Sequence, residues 1–137
     1  MINQQIQVLT RYPVAIDSPD HLSPFGAAHD NHTDENFIRD CQNHFSRKIS
    51  FMDLGTAGGA TPIMAFESGN LAIGLEGSNF QIKNKDAQFH EQWKKYYGNV
   101  LFNCDISQPF EVCQKFKPIQ FDVICAWEVI EHINPGS

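Results

Sequence analysis

The chain has 137 residues, of which 42% are hydrophobic and 19% are charged, so it can fold as one domain with a buried core. Its formal net charge of −6 argues against nucleic acid as a partner. No stretch approaches the roughly 20 apolar residues of a membrane span, and the N-terminus lacks a basic region followed by an apolar core. Composition therefore predicts a soluble, cytoplasmic protein that does not bind membranes.

The first 35 residues are predicted to be irregular, because proline, glycine and turn-forming polar residues interrupt them. Two interpretations exist for residues 17–32: a lid over a ligand, or a surface loop that covers a sheet face, which we favour. A helix is predicted over residues 34–45, with Thr33 as its N-cap. Its apolar residues recur at i, i+1, i+4 and i+8, so one face should pack on a sheet.

From residue 49 onward, predicted strands alternate with predicted helices. The strands cover residues 49–54, 71–75, 100–104 and 121–126, and the helical segments cover residues 60–68, 85–97 and 128–133. Residues 108–120 show no clear preference. Alternation of this kind is typical of an α/β fold with a parallel sheet and helices on both faces. We expect a single domain, with an N-terminal loop and helix in residues 1–48 and a core in residues 49–137.

The four cysteines have neither C-x-x-C spacing nor the spacing of a zinc site. Cys104 and Cys125 fall inside predicted strands. We therefore expect buried free thiols rather than a redox or metal role.

A glycine-rich turn follows the first strong strand, and residues 53–59 read D-L-G-T-A-G-G. A strand, a tight glycine turn and a helix in that order build a nucleotide-binding corner at the carboxyl edge of a parallel sheet. Glycine permits positive φ and close approach of a ligand. Pro62 is tolerated in the first turn of the helix that follows. The turn alone does not identify the cofactor.

Acidic residues stand at the ends of the first three predicted strands, where the strands of a parallel sheet line one crevice. Glu76 follows Asp53 at close to the roughly 20-residue offset of dinucleotide sites, and its carboxylate suits the two hydroxyls of a ribose. Asp105 can accept from an adenine amino group while the Ile106 N–H meets a ring nitrogen. Asp53 suits a cationic amino group better than a pyrophosphate. Each acid taken singly is equally well explained as a helix N-cap.

Taken in order, these segments resemble a class I S-adenosylmethionine-dependent methyltransferase. The resemblance rests on D-x-G-x-A-x-G at 53–59, Glu76, C-D-I at 104–106, and F-D-V-I-C-A-W-E-V-I-E-H-I at 121–133. It spans residues 49–133, and E-V-I-E-H-I is its most specific part. One departure is Ala57, where the family often has glycine, although Gly58 can share that role. The resemblance implies a Rossmann-like three-layer sandwich, S-adenosyl-L-methionine as cofactor, and methyl transfer.

The resemblance also implies how the cofactor is held. The glycine turn, residues 55–59, would hold the methionine part together with Asp53, while Glu76 would hold the ribose. Asp105 would hold the adenine, and Trp127 would stack on cofactor or acceptor or else form a lip of the core. The full set of implied cofactor-binding residues is Asp53, Gly55, Thr56, Ala57, Gly59, Glu76, Gly77, Asp105, Ile106 and Trp127.

Three side chains in the E-x-x-E-H segment, Glu128, Glu131 and His132, would share one face of a helix. They could bind a divalent cation, as in some methyltransferases that resemble this segment, but no fourth ligand is identifiable. His132 could instead act as a general base, if the acceptor is a group that must lose a proton. In the third interpretation, the glutamates favour the helix N-terminus and His132 packs.

Two functions of other classes use the same corner: an NAD-dependent oxidoreductase and a non-catalytic cofactor-binding module. The family sheet has seven strands, whereas the resemblance stops soon after the fourth. We expect a fragment of a longer enzyme; the alternatives are a homodimer paired across the exposed edge of 121–126, or a shortened relative. The sequence does not identify the methyl acceptor.

Overall fold

A computed structural model describes residues 1–15, 33 and 35–127 of the chain. In chain order the helices and strands are β1 (Ile6–Thr10), α1 (Glu35–Phe45), β2 (Ser50–Leu54), α2 (Ala60–Glu67), β3 (Leu71–Glu76), α3 (Phe80–Lys83), α4 (His90–Tyr96), β4 (Leu101–Asn103), β5 (Phe110–Gln114), β6 (Lys117–Pro118) and β7 (Val123–Cys125).

The predicted parallel sheet is confirmed. Four strands pair in the order β4-β3-β2-β7, and all three pairings are parallel. They correspond to the four strands expected from the sequence, and no strand end differs from its expected position by more than two residues. The chain is therefore an α/β protein in which the carboxyl ends of four strands meet at one edge.

Helices cover one face of this sheet. Phe51 and Ala72, from neighbouring strands, are fully buried against Ile38 of α1 and Ala65 of α2. The predicted packing of the segment 34–45 on a sheet is thus confirmed for its described residues. Burial of such apolar side chains contributes about 1.5–3 kcal/mol each for the larger ones, so α1 and α2 are held by the strands beneath them.

The other face is covered by a second sheet, which corrects two expectations. Strands β1, β5 and β6 form an antiparallel sheet, and Ile6 and Val112 pack against Met52 and Ile73 of the parallel sheet. The N-terminal residues were expected to be irregular, and helices were expected on both faces. The first expectation is wrong for residues 6–10, although the other described residues before residue 35 form no helix or strand. The second is wrong because the antiparallel sheet occupies that face. Strand β1 pairs with a strand about 100 residues away, and no local signal in five residues reveals such a partner.

The helix expected over residues 85–97 is shorter in the structure. Helix α4 covers only its second half, and the separate short helix α3 precedes it. Between them the chain turns, with the Ala87 N–H donating to the Asn84 carbonyl at 3.0 Å and the His90 N–H donating to the Ala87 carbonyl at 3.1 Å. Local turns of this kind compete with helix formation for the same backbone groups.

Strand β7 stands at the end of the parallel sheet as far as the described residues show, and Ile124 within it is more than half exposed. Pairing of this edge with a second chain stays a prediction.

Among the described helices, none is long and apolar enough to cross a membrane.

An ion pair between Arg47 and Asp122 joins the segments at the amino ends of β2 and β7. The Arg47 guanidinium donates to both carboxylate oxygens of Asp122, at 2.6 and 2.9 Å. The same carboxylate accepts from the Ser50 N–H at 2.9 Å, and the Asp122 N–H donates to the Ser50 hydroxyl at 2.8 Å. These bonds, with Arg47 first and Ser50 next, hold the pKa of the Asp122 carboxyl well below its usual range.

This lowered pKa predicts a pH-dependent contribution to stability. A carboxyl whose pKa is lower in the folded state stabilises the fold above its unfolded pKa of about 3.9, and that contribution is lost as the pH falls below it. We expect Asp122→Asn to lower the urea midpoint at pH 7 and to lose this effect progressively below about pH 4. The effect should be small because Arg47 is 55% exposed. Asp86→Asn, at an exposed turn, is the control; equal pH profiles for the two variants would contradict the assignment.

Candidate functional site at the carboxyl edge of the parallel sheet

Three acids meet at the carboxyl edge of the parallel sheet, as the sequence predicts. Asp53 lies near the end of β2, Glu76 ends β3, and Asp105 follows β4, so the three stand on adjacent strands. Their exposed fractions are only 4%, 4% and 6%. Acidic side chains are rarely buried so fully unless they have partners, and for Glu76 and Asp105 these partners are backbone N–H groups and the Ser107 hydroxyl.

In the glycine turn, Gly55 and Gly59 have the positive φ that glycine permits, whereas Gly58, which was expected to share the backbone role of position 57, does not. Gly55 has φ of 72° and Gly59 has φ of 89°, while Ala57 adopts φ of 52°. The N–H groups of Gly55 and Thr56 both donate to the Leu75 carbonyl, at 2.8 and 3.0 Å. Ala57 thus takes the left-handed conformation inside the glycine turn, and an alanine in that conformation carries a steric cost.

The carboxylate of Glu76 ties the glycine turn to the end of β3. Its Oε1 accepts from the Ala57 N–H at 2.8 Å, and its Oε2 accepts from the Ser78 N–H at 2.9 Å. Each carboxylate oxygen has two lone pairs, so each retains capacity for a further donor such as a hydroxyl. The same side chain is thus a structural acceptor as well as the candidate ribose ligand.

Asp105 organises the loop that follows β4. Its Oδ1 accepts from the Ser107 hydroxyl at 2.6 Å and from the Ser107 N–H at 3.1 Å. The side chain of the adjacent Ile106 is partly buried against the cluster between the two sheets. The candidate adenine position is therefore built from a fixed loop at the sheet edge.

The N-terminal segment crosses this edge, which the sequence did not indicate. The Asp105 N–H donates to the Tyr12 carbonyl at 2.8 Å, and the Ala15 N–H donates to the Gly77 carbonyl at 2.9 Å. Residues 12–15 thus lie across the ends of β3 and β4. The alternatives of a lid or a surface loop concern residues 17–32, which lie outside the described residues.

Helix α4 reaches the glycine turn from the helical face of the sheet. Trp93 is 1% exposed and its Nε1–H donates to the Ala57 carbonyl at 2.8 Å. Gln92 Nε2 donates to the Gly58 carbonyl at 2.6 Å. Trp93 is therefore a core residue of α4, and its bond to the turn had no signal in the helical pattern of the sequence.

One buried polar atom of the turn stands out. The Thr56 Oγ1 is buried and has no hydrogen-bond partner within the residues that the structure describes. Buried hydroxyls are usually hydrogen-bonded, and this oxygen lies between the turn and β3, 2.7 Å from where a Cβ on Gly74 would stand.

Of the predicted site residues that follow β7, the structure describes Trp127 but not the E-x-x-E-H segment. Trp127 is 44% exposed, and its ring meets Phe37 of α1 edge-on at a centroid distance of 5.7 Å. Glu128, Glu131 and His132 lie outside the described residues, so their metal-binding and general-base interpretations stay predictions. Elsewhere in the described ranges, 1–15, 33 and 35–127, no group of three or more His, Cys, Asp or Glu side chains could hold a metal ion.

The predicted burial of Cys104 and Cys125 is confirmed. Cys104, Cys113 and Cys125 are buried, and Cys41 is half-buried. Burial raises the pKa of Cys104 to about 11, with Asp105 adding to the rise and a hydrogen bond with Thr10 opposing it. A thiol with so high a pKa is protonated at neutral pH and is a poor nucleophile, so Cys104 next to the candidate site is a core residue.

Comparison of the chain with protein-family models, with curated proteins and with solved structures finds no match.

Proposed function

We propose that this chain is the cofactor-binding part of a Rossmann-like, S-adenosyl-L-methionine-dependent methyltransferase. The observation that carries the proposal is the set of three buried acids on adjacent parallel strands beside a left-handed glycine turn. Asp53 would meet the methionine amino group, Glu76 the ribose hydroxyls and Asp105 the adenine amino group.

The chemistry of these three hydrogen-bond acceptors fits the cofactor. Ionised carboxylates only accept hydrogen bonds, and S-adenosyl-L-methionine offers donors at each of the three positions: an ammonium, two hydroxyls and an exocyclic amine. A dinucleotide would bring a pyrophosphate to the same turn, where the charge of Asp53 would repel it. Thr56 Oγ1 supplies one further buried polar atom beside the turn.

The cofactor would bring a methyl group already activated by a sulfonium. The chain's own contribution is to orient the bound molecule and to exclude water from it. Burial of the three acids, and the crossing of the sheet edge by residues 12–15, serve both purposes. His132 is the candidate base for an acceptor that must lose a proton, and the acceptor itself is unidentified.

The direct test is calorimetric titration of the protein with S-adenosylhomocysteine and, separately, with NAD. We expect saturable binding of S-adenosylhomocysteine and none of NAD at the same concentrations. NAD binding without S-adenosylhomocysteine binding would replace the proposal by the oxidoreductase alternative.

A charge-removing variant sharpens this test. Asp53→Asn keeps the shape of the side chain but loses the charge that would pair with the ammonium, so we expect about a tenfold weaker binding of S-adenosylhomocysteine. Asp86→Asn removes one charge at an exposed turn and should bind like the parent. Equal losses in both variants would point to net charge rather than to a specific contact.

A further inference from the structure

We propose that Gln92 and Trp93 are positioning residues that hold the glycine turn in its ligand-binding conformation. Helix α4 would thereby belong to the cofactor site without touching the cofactor. This inference rests on the proposed function for the identity of the ligand, but the ordering of the turn can be measured without any ligand. We refer to the two side chains together as the turn clamp.

The turn clamp acts on the carbonyl side of the turn. Trp93 Nε1–H donates to the Ala57 carbonyl at 2.8 Å, and Gln92 Nε2 donates to the Gly58 carbonyl at 2.6 Å. On the other side, the Ala57 N–H donates to Glu76 Oε1 at 2.8 Å. Both backbone polar groups of Ala57 are therefore bonded to buried side chains, one from α4 and one from the end of β3.

Ala57 is where such support is needed. Its φ of 52° lies in the left-handed region, which an L-residue with a Cβ enters at a steric cost. Residues held in such conformations persist when the surroundings over-determine them, and this arrangement is common at ligand sites. Since a ligand that orders a mobile turn loses affinity by doing so, a turn already held in place binds more tightly.

A competing explanation is that Trp93 is only a core residue whose indole N–H needed an acceptor. Trp93 indeed packs with Val100 and Leu101 in a buried cluster. Core packing alone predicts that loss of the N–H weakens the whole domain evenly. The turn clamp predicts a local effect on the turn, and Gln92, which is only partly buried, should show it as well.

The experiment uses Trp93→Phe, which keeps an aromatic ring but removes the donor, and Gln92→Leu, which removes the amide at similar size. Tyr97→Phe, on an exposed residue beside Trp93, is the control. Amide hydrogen exchange, followed by NMR on the full chain without ligand, compares residues 55–59 with the strands β2 and β3. Titration with S-adenosylhomocysteine follows for each variant.

We expect turn amides to exchange about five- to tenfold faster in Trp93→Phe and Gln92→Leu, with β2 and β3 changed less. Affinity for S-adenosylhomocysteine should fall by a similar factor, and in the parent the Trp93 indole N–H resonance should shift on ligand addition. Uniform acceleration across turn and strands, or turn exchange equal to that of Tyr97→Phe, would overturn the inference. If even the parent fails to bind S-adenosylhomocysteine, the proposed function fails, and the exchange comparison still decides whether the clamp exists.

Discussion

Replacement of Glu76 by alanine is expected to destabilise the protein by about 2–4 kcal/mol and to abolish measurable binding of S-adenosylhomocysteine. The carboxylate is 4% exposed and accepts from the N–H groups of Ala57 and Ser78. Without it, two buried donors lose their acceptor, and each such loss costs about 1–3 kcal/mol. Urea unfolding measures the first effect and calorimetry the second.

Glu76→Gln separates the structural role from the ligand role. The amide retains one acceptor oxygen but turns its NH₂ toward one of the two N–H groups, so stability should fall less than in the alanine variant. Binding should still be strongly weakened, because one of the two oxygens available to a ribose is gone. Glu111→Gln, on an exposed position of β5, serves as the control. Unchanged affinity in a folded Glu76→Ala protein would remove the ribose assignment.

Gly74→Ala in the middle of β3 is expected to destabilise the protein by about 1–3 kcal/mol, through overpacking. A Cβ built on Gly74 would stand 2.7 Å from Thr56 Oγ1 and 2.8 Å from Pro62 Cγ. These atoms belong to the glycine turn and to the first turn of α2, so relief of the clash must push both away from the sheet. We therefore expect weaker binding of S-adenosylhomocysteine as well as a lower urea midpoint.

Gly98→Ala provides the matched comparison for Gly74→Ala. Gly98 has φ of 80° and nothing within 4 Å of an added Cβ, so its substitution tests backbone conformation without crowding. It should cost about 1 kcal/mol and leave ligand affinity unchanged. If Gly74→Ala were as mild as Gly98→Ala and bound ligand like the parent, close packing of the turn on β3 would not matter for the site.

Local patterns in the sequence were sufficient to predict the parallel sheet and the acidic residues at its carboxyl edge. Apolar runs at residues 49–54 and 71–75 predict buried strands, and the observed strands β2 and β3 occupy almost the same residues. The acids at the ends of these strands could be placed together in advance, because parallel strands connected by crossovers present their carboxyl ends at one edge. The positive φ of Gly55 and Gly59 likewise follows from residue type.

Contacts between distant segments could not be predicted in this way. Gln4 is an example. Its side-chain amide donates to the Ala72 carbonyl, and its side-chain oxygen accepts from the Ala72 N–H. These bonds satisfy the backbone of β3 at Ala72, because the pairing of β3 with β4 starts only at Gly74. The residues next to Gln4 in the sequence do not predict these bonds. The same holds for the bond between Trp93 and Ala57, since an apolar helix face predicts burial but not which backbone group meets the indole.

The amino-acid sequence by itself thus determined the order of strands and helices along the chain, the glycine turn and the acids at the strand ends, because each depends on residues close together in the chain. Only the tertiary structure decided that β1, β5 and β6 cover the second face, that residues 12–15 cross the sheet edge, and that α4 holds the turn. These features join segments separated by tens of residues, where pairing depends on which surfaces remain uncovered after the local elements have formed.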